Sequence, residues 1–269
     1  MGHRIGVFDS GSGGLTVVAA LWEAGIDAEF VYFADTAHLP YGGRPLEEVK
    51  GFALGIIERL VREEGCEAIV AGCNISSGVA LEEAREEFPD VPMFGLVEPG
   101  AREALRVAPK GPIAVLATEG TVKGSFYKCA IERMAEGKVE VVEVSCPDLV
   151  LLIEGEGPEG ERTLEAVRRH AEEARSEGAK AVILGCTHYA LLADVFEGAL
   201  GEGVKVVDPA RALAEEVAQA LGRGKEGPSG PPRIQLLCSG PAGRVVEYAL
   251  RLLSVRVFEL RYVEPPGEG

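Results

Sequence analysis

Apolar residues along this chain come in short continuous runs, separated by longer stretches in which they recur every three or four positions. The runs RIGVFD, EFVYFAD, EAIVAGC, VPMFGLV, GPIAVLAT, KVEVVEV, KAVILGC and VKVVD have strand length and little polar alternation. That pattern predicts parallel strands covered on both faces by helices, an α/β architecture. Pro45 opens the helical pattern LEEVKGFALGIIERLVREE, which Gly65 stops, and RTLEAVRRHAEEARSE before Gly178 reads in the same way. GRGKEGPSGPP, from Gly222 to Pro232, is rich in glycine and proline and predicts an exposed connection.

A weak internal repeat runs through this pattern. AIVAGCNISSGVAL from Ala68 and AVILGCTHYALL from Ala181 each place a cysteine directly after a strand and a glycine. IGVFDSGSG from Ile5 and IAVLATEGT from Ile113 match at nearly the same offset. Two related half-structures would give this spacing, and so would chance similarity between short apolar runs, so the pattern alone leaves both open.

Composition narrows the function classes. A chain of 269 residues with 46% hydrophobic content can bury a sizeable core in one large domain or two small ones. A net charge of -16 opposes any surface that must follow a phosphate backbone or anionic lipid, so nucleic acid is not an expected partner. No apolar run approaches a membrane span, and no basic-then-apolar leader precedes the first strand, so a cytoplasmic location is expected. Cys66, Cys73, Cys129, Cys146, Cys186 and Cys238 are scattered without the density of a disulfide scaffold, which predicts reduced thiols. Asparagine occurs once, at Asn74 beside Cys73, and glutamine twice, the avoidance of labile amides expected of a heat-adapted protein.

The candidate chemistry lies at the two repeated strand ends. Open α/β sheets bind ligands outside the carboxyl ends of their strands, where loops enter helix N-termini. A helix N-terminus favours thiolate over thiol, which predicts lowered pKa values for Cys73 and Cys186. Facing each other across a cleft, the two could work on one carbon from opposite sides, one removing a proton while the other supplies one. Read singly, each is equally well a packed strand-end cysteine. Asp9 at the end of RIGVFD, His188 two residues after Cys186, and Glu154 at the end of LVLLIE are candidate acid–base partners. Taken singly, Asp9 is equally well a loop or cap aspartate and His188 a capped or packed histidine, while Glu154 reads as a surface carboxylate.

FDSGSGGLT lacks both the GKS/T ending of a P-loop and the G-x-G-x-x-G spacing of a dinucleotide fold, so a carboxylate ligand fits it better than a phosphate. Ser10, Asn74, Thr118, Thr121, Thr187 and the backbone at Tyr41 and Gly42 could hold a small zwitterion through neutral donors and acceptors. No lysine stands at a predicted strand-end cleft except Lys123, so the pattern offers no clear pyridoxal Schiff-base site. Carbanion stabilisation must then come from electrostatics and enclosure, with no cofactor expected.

FDSGSGGLTV, YFADTAHLPYG, GCNISS, LVEPGA, LATEGTVKGSFY, SCPDLVLLIE and LGCTHYALL, in this order, closely resemble the glutamate racemases of the aspartate/glutamate racemase superfamily over nearly the whole chain. The resemblance implies two similar doubly wound parallel-sheet domains related by a pseudo-two-fold axis, with the active site between them. It places residues 1–97 and 209–269 in the first and 98–208 in the second. It implies that Cys73, supported by Asp9, exchanges a proton with D-glutamate, and that Cys186, assisted by His188 and Glu154, serves L-glutamate. It also implies homodimers and a supply of D-glutamate for peptidoglycan. Cys73-Asn74-Ile75-Ser76-Ser77 departs from the family pattern C-N-T-A-S: Ile75 stands where a substrate-contacting threonine is usual, Ser76 stands in place of the alanine, and Ser76 or Ser77 is the expected compensation.

Three rivals keep other outcomes open. Ile75 makes aspartate or another acidic amino acid a thinkable substrate. The same cleft could hold an amino acid without turning it over. Cys73, Cys186 and His188 could instead ligate zinc, although paired C-x-x-C spacing is absent.

Overall fold

Each expected apolar run forms a strand in the computed structural model, which describes residues 3–222, 230–255 and 258–267. These are β1 (His3–Asp9), β2 (Ala28–Ala34), β3 (Ala68–Ala71), β4 (Met93–Gly95), β5 (Ile113–Ala117), β6 (Val141–Ser145), β7 (Ala181–Gly185) and β8 (Lys205–Val207). Most of the expected connection from Gly222 to Pro232 lies outside the described residues. Two strands escaped the pattern, β9 (Arg233–Cys238) and β10 (Glu259–Tyr262). β9 follows directly on that glycine- and proline-rich stretch, and β10 is a short, mostly exposed edge strand whose ELRY has no apolar run.

The strands form two separate all-parallel sheets, ordered β10-β9-β2-β1-β3-β4 and β6-β5-β7-β8. The order β2-β1-β3-β4 recurs as β6-β5-β7-β8, so β1 corresponds to β5 and β3 to β7. These are the pairs that the sequence repeat brought together. The chain is thus two α/β domains, and after β8 it returns to the first sheet through β9 and β10.

Each sheet carries an apolar cluster on both faces. In the first, Ile5, Val7, Phe30 and Tyr32 pack with Leu15, Leu213 and Val217, while Phe8, Val31 and Phe33 pack with Ile56, Ile57 and Leu60. In the second, Leu116, Val182 and Leu184 meet Val167 and Ala171, while Val115 and Ile183 meet Ala104 and Ile131. Burying each such large side chain stabilises the fold by about 1.5–3 kcal/mol, which explains why the strands read as unbroken apolar runs. The covering helices start and stop close to where the sequence marks them. Pro45 sits at the N-cap of the helix Leu46–Arg62, directly before the pattern it opens, and Gly65 and Gly178 follow their helices at positive φ.

In each sheet the strand order reverses beside the strand that comes first in the chain, β1 or β5, which opens a crevice beyond the carboxyl ends of β1 and β3 and of β5 and β7. Asp9 ends β1, Cys73 follows β3, Thr118 follows β5 and Cys186 follows β7. Topology alone therefore brings these four residues to two crevices.

Candidate active site

The two crevices open into one pocket. Cys73, Asp9, Ser10, Tyr41, Gly42, Asn74 and Ile75 reach it from the first domain, and Cys186, Thr187, His188, Thr118 and Thr121 from the second. Glu154 and Ser76 do not line it. Glu154 stands behind His188, on the helix Leu149–Glu156, and Ser76 is fully buried. Lys123 is exposed and away from the lining.

On the Cys186 side the groups form a chain. Nδ1 of His188 lies 3.9 Å from the Cys186 sulfur, and Nε2 is 2.7 Å from Oε1 of Glu154. That oxygen also accepts from the Ser12 hydroxyl at 2.7 Å. Burial would lower the pKa of His188, but the bonds to Cys186 and Glu154 and the charge of Asp9 outweigh it and hold the imidazole well above its ordinary value. Burial pushes Glu154 up, and His188, Ser12 and Arg244 more than reverse it, so the carboxyl stays below the usual glutamate range. The imidazolium beside Cys186 is the charge that a thiolate there needs.

The Cys73 side is built differently. Cys73 caps the short helix Asn74–Val79, yet its pKa is not lowered as the sequence position suggested. Burial, reinforced by the charge of Asp9, drives it well above the ordinary thiol value, and the backbone amide of Ser76 offsets only part of this. A helix of under two turns is too weak a dipole to win. Asp9 is itself raised by burial, against the pull of the His188 charge, the amides of Gly14 and Ser10, and the Cys73 thiol. Its carboxylate accepts from Gly14 N–H at 2.7 Å, which ties it to the FDSGSGG turn. The pair is thus a proton-bearing thiol beside a carboxylate of raised basicity.

The remaining wall is neutral. Tyr127 of the second domain donates to Oδ1 of Asn74 at 2.5 Å, so the Asn74 amide nitrogen has no protein partner although it is buried at the pocket. A buried unpaired donor costs about 1–3 kcal/mol, which a carboxylate ligand would recover. Thr118 and Thr121 place their hydroxyl oxygens 3.3 Å apart on the opposite wall. Ile75 adds an apolar surface with Tyr41 and Cys73. Neither expected substitute for the missing threonine hydroxyl faces the pocket: the Ser77 hydroxyl donates to the carbonyls of Ala71 and Cys73, and Ser76 lies off the lining. Among the described residues no group of three or more His, Cys, Asp or Glu is placed to hold a metal ion.

Comparison with known proteins places the chain in a family. Residues 16–217 match the family described as Asp/Glu/Hydantoin racemase. The chain belongs to this family. Its enzyme class is that of an amino-acid racemase. Among similar curated racemases is the glutamate racemase of Desulforudis audaxviator, 42% identical over 208 residues, or 77% of this chain and 75% of the relative. Among solved structures, a glutamate racemase isoform from Bacillus anthracis superposes with a TM-score of 0.87 at 28% identity, covering 98% of both chains. The glutamate racemase of Thermus thermophilus in complex with β-chloro-D-alanine gives 0.79 at 36% identity, covering 97% of both.

The pocket of this racemase also has lining residues that no sequence motif marked. Pro40, Val150 and Gly185 line it. Asp35, fully buried, accepts from Tyr41 at 2.5 Å, Ser239 at 2.6 Å and His38 at 2.9 Å, and so anchors the loop that carries Tyr41 and Gly42. The signal for Asp35 was its place at the end of EFVYFAD, one residue past Ala34, the partner of Asp9 in the β1–β2 register. Among the described residues no helix is long and apolar enough to cross a membrane.

The Glu154–His188 pair gives a pH expectation. A carboxyl whose folded pKa is depressed contributes stability above its unfolded pKa, near 4.3, and that contribution is lost as pH falls through the lower folded value. Thermal unfolding from pH 7 to 3 should therefore show a steeper loss of Tm for the native racemase than for Glu154→Gln below about pH 4.5. Parallel curves would show that the pair contributes nothing to folding.

Proposed function

We propose that this racemase interconverts L- and D-glutamate without a cofactor, by two-base proton transfer at the α-carbon. Cys186, with His188 and Glu154, removes the proton from L-glutamate while Cys73, with Asp9, delivers one to the opposite face; the reverse reaction exchanges the roles. The observation that carries this reading is the pairing of two cysteines from two sheets in one pocket, each with its own acid–base partners. Their unlike surroundings suit it, an imidazole and a carboxylate behind Cys186 and a carboxylate beside Cys73, because a racemase must hold one thiol as acid while the other acts as base.

Asn74, Ser10, Thr118, Thr121, Thr187 and the Tyr41–Gly42 backbone bind the substrate's carboxylates and ammonium through neutral groups, and Ile75 packs against its carbon skeleton. Domains of residues 1–97 with 209–269 and of 98–208 supply one thiol each. The product D-glutamate feeds peptidoglycan synthesis.

The test is α-proton exchange and enantiomer interconversion in heavy water, with glutamate and aspartate in parallel. Deuterium at the α-carbon of glutamate together with loss of optical rotation is the expected result. Faster exchange with aspartate would make Ile75 the mark of a different acidic substrate, and no label from either would leave a passive amino-acid-binding cleft.

A further inference from the structure

Glu154 belongs to the second domain, but what holds it comes from the first. Ser12, in the loop after β1, is buried and donates to Oε1 of Glu154, the same oxygen that His188 uses. Arg244 lies on the helix Gly243–Leu253, which follows β9 of the first sheet. Its Nε donates to the main-chain oxygen of Glu154 at 2.8 Å and its Nη2 to that of Gly155 at 2.9 Å. These are carbonyls of the last turn of Leu149–Glu156, which have no partner further along their own helix. Nη1 of Arg244 is held by Glu247 at 2.9 Å, and Arg251 of the same helix pairs with Glu159 at 2.6 Å, so the helix grips this end of the second domain at two points.

We propose that Ser12 and Arg244 are positioning residues that complete the Glu154–His188–Cys186 chain across the domain boundary, so that the Cys186 half of the reaction runs only while the two domains are closed on each other. Two donors converging on one carboxylate oxygen fix its direction, and an arginine on the two backbone carbonyls fixes where the carboxylate starts. The groups that support Asp9 and Cys73 are others: the amides of Gly14 and Ser10 for the carboxylate and Ser76 for the thiol. The charged and titratable groups that face Glu154 are His188 from the second domain, Arg244 and Tyr248 from the helix Gly243–Leu253, and Tyr32 from β2.

The proposal rests on the two-thiol reading, and its test must separate the thiols. Racemisation cannot do so, because enantiomers have equal free energy in water and kcat/KM is the same in both directions. Elimination from a glutamate carrying a leaving group on the β-carbon can. The thiolate takes the α-proton, the C–H electron pair forms the Cα–Cβ double bond, and the leaving group departs with its own pair; the enamine hydrolyses to the 2-oxo acid and ammonium. Each hand of the analogue then reports one thiol.

With Ser12→Ala, elimination from the L-hand should slow about tenfold, the loss of one hydrogen bond to a charged group. Its acid limb should move to higher pH, since Glu154 without that donor takes up a proton sooner, and the D-hand should stay within about twofold of the native rate. Arg244→Gln should slow the same hand, and neither substitution should slow it further in a Glu154→Gln background. Equal slowing of both hands, an unmoved acid limb, or full additivity with Glu154→Gln would overturn the proposal while leaving the two-thiol reading intact. A native enzyme that eliminates from neither hand would overturn both.

Discussion

Cys73→Ser and Cys186→Ser should each lose glutamate racemisation by about 10³-fold or more, while each keeps elimination from one hand of a β-substituted glutamate and loses the other. A hydroxyl is a far weaker acid than a thiol, so serine can neither carry the negative charge of the base nor release its proton at neutral pH, and general acid–base contributions of about 10²–10⁴ disappear. The surviving hand differs between the two variants because elimination needs one base, whereas racemisation needs a base and an acid on opposite faces. Cys73→Ser should retain the hand that Cys186 attacks, and Cys186→Ser the other. Racemisation at native rates in both variants would refute the assignment of both thiols.

Gly13→Ala should be almost as damaging, although residue 13 contacts no substrate in this reading. A Cβ added there would stand 2.5 Å from Nδ1 of His188 and 2.6 Å from Oγ1 of Thr187, both far inside van der Waals contact. His188 is buried and held between Cys186 and Glu154, so it can make room only by giving up one of them. Overpacking of this kind costs about 1–3 kcal/mol in stability. The larger effect falls on chemistry, and about a 10²-fold loss of kcat is expected, carried by the hand that Cys186 serves. Measured elimination rates that fall equally for both hands, or a kcat near the native value, would show that His188 is not confined as described.

Much of this site was legible in the sequence because its residues sit where strands end. β1, β3, β5 and β7 were readable as apolar runs, and Asp9, Cys73, Thr118 and Cys186 follow from counting to the end of each run. His188 came with Cys186 through the same turn. Glu154 was harder, because LVLLIE forms a helix whose side-by-side arrangement with His188 depends on packing between segments 34 residues apart. The grip of Arg244 on that helix could not be read at all: it joins residues 90 apart through backbone oxygens, which leave no side-chain pattern. The expected low pKa of Cys73 failed for a similar reason. Strand-end position gave the helix N-terminus, but only the folded surroundings show that burial and Asp9 outweigh it.

The interleaved order of the first sheet also sets a timetable for synthesis. One flank of β2 remains bare until Arg233–Cys238 has left the ribosome, whereas all four strands of the second sheet are already present at Val207. The nascent chain therefore carries an open strand edge through most of its translation, the stage at which strand-to-strand aggregation between neighbouring ribosomes is most to be feared.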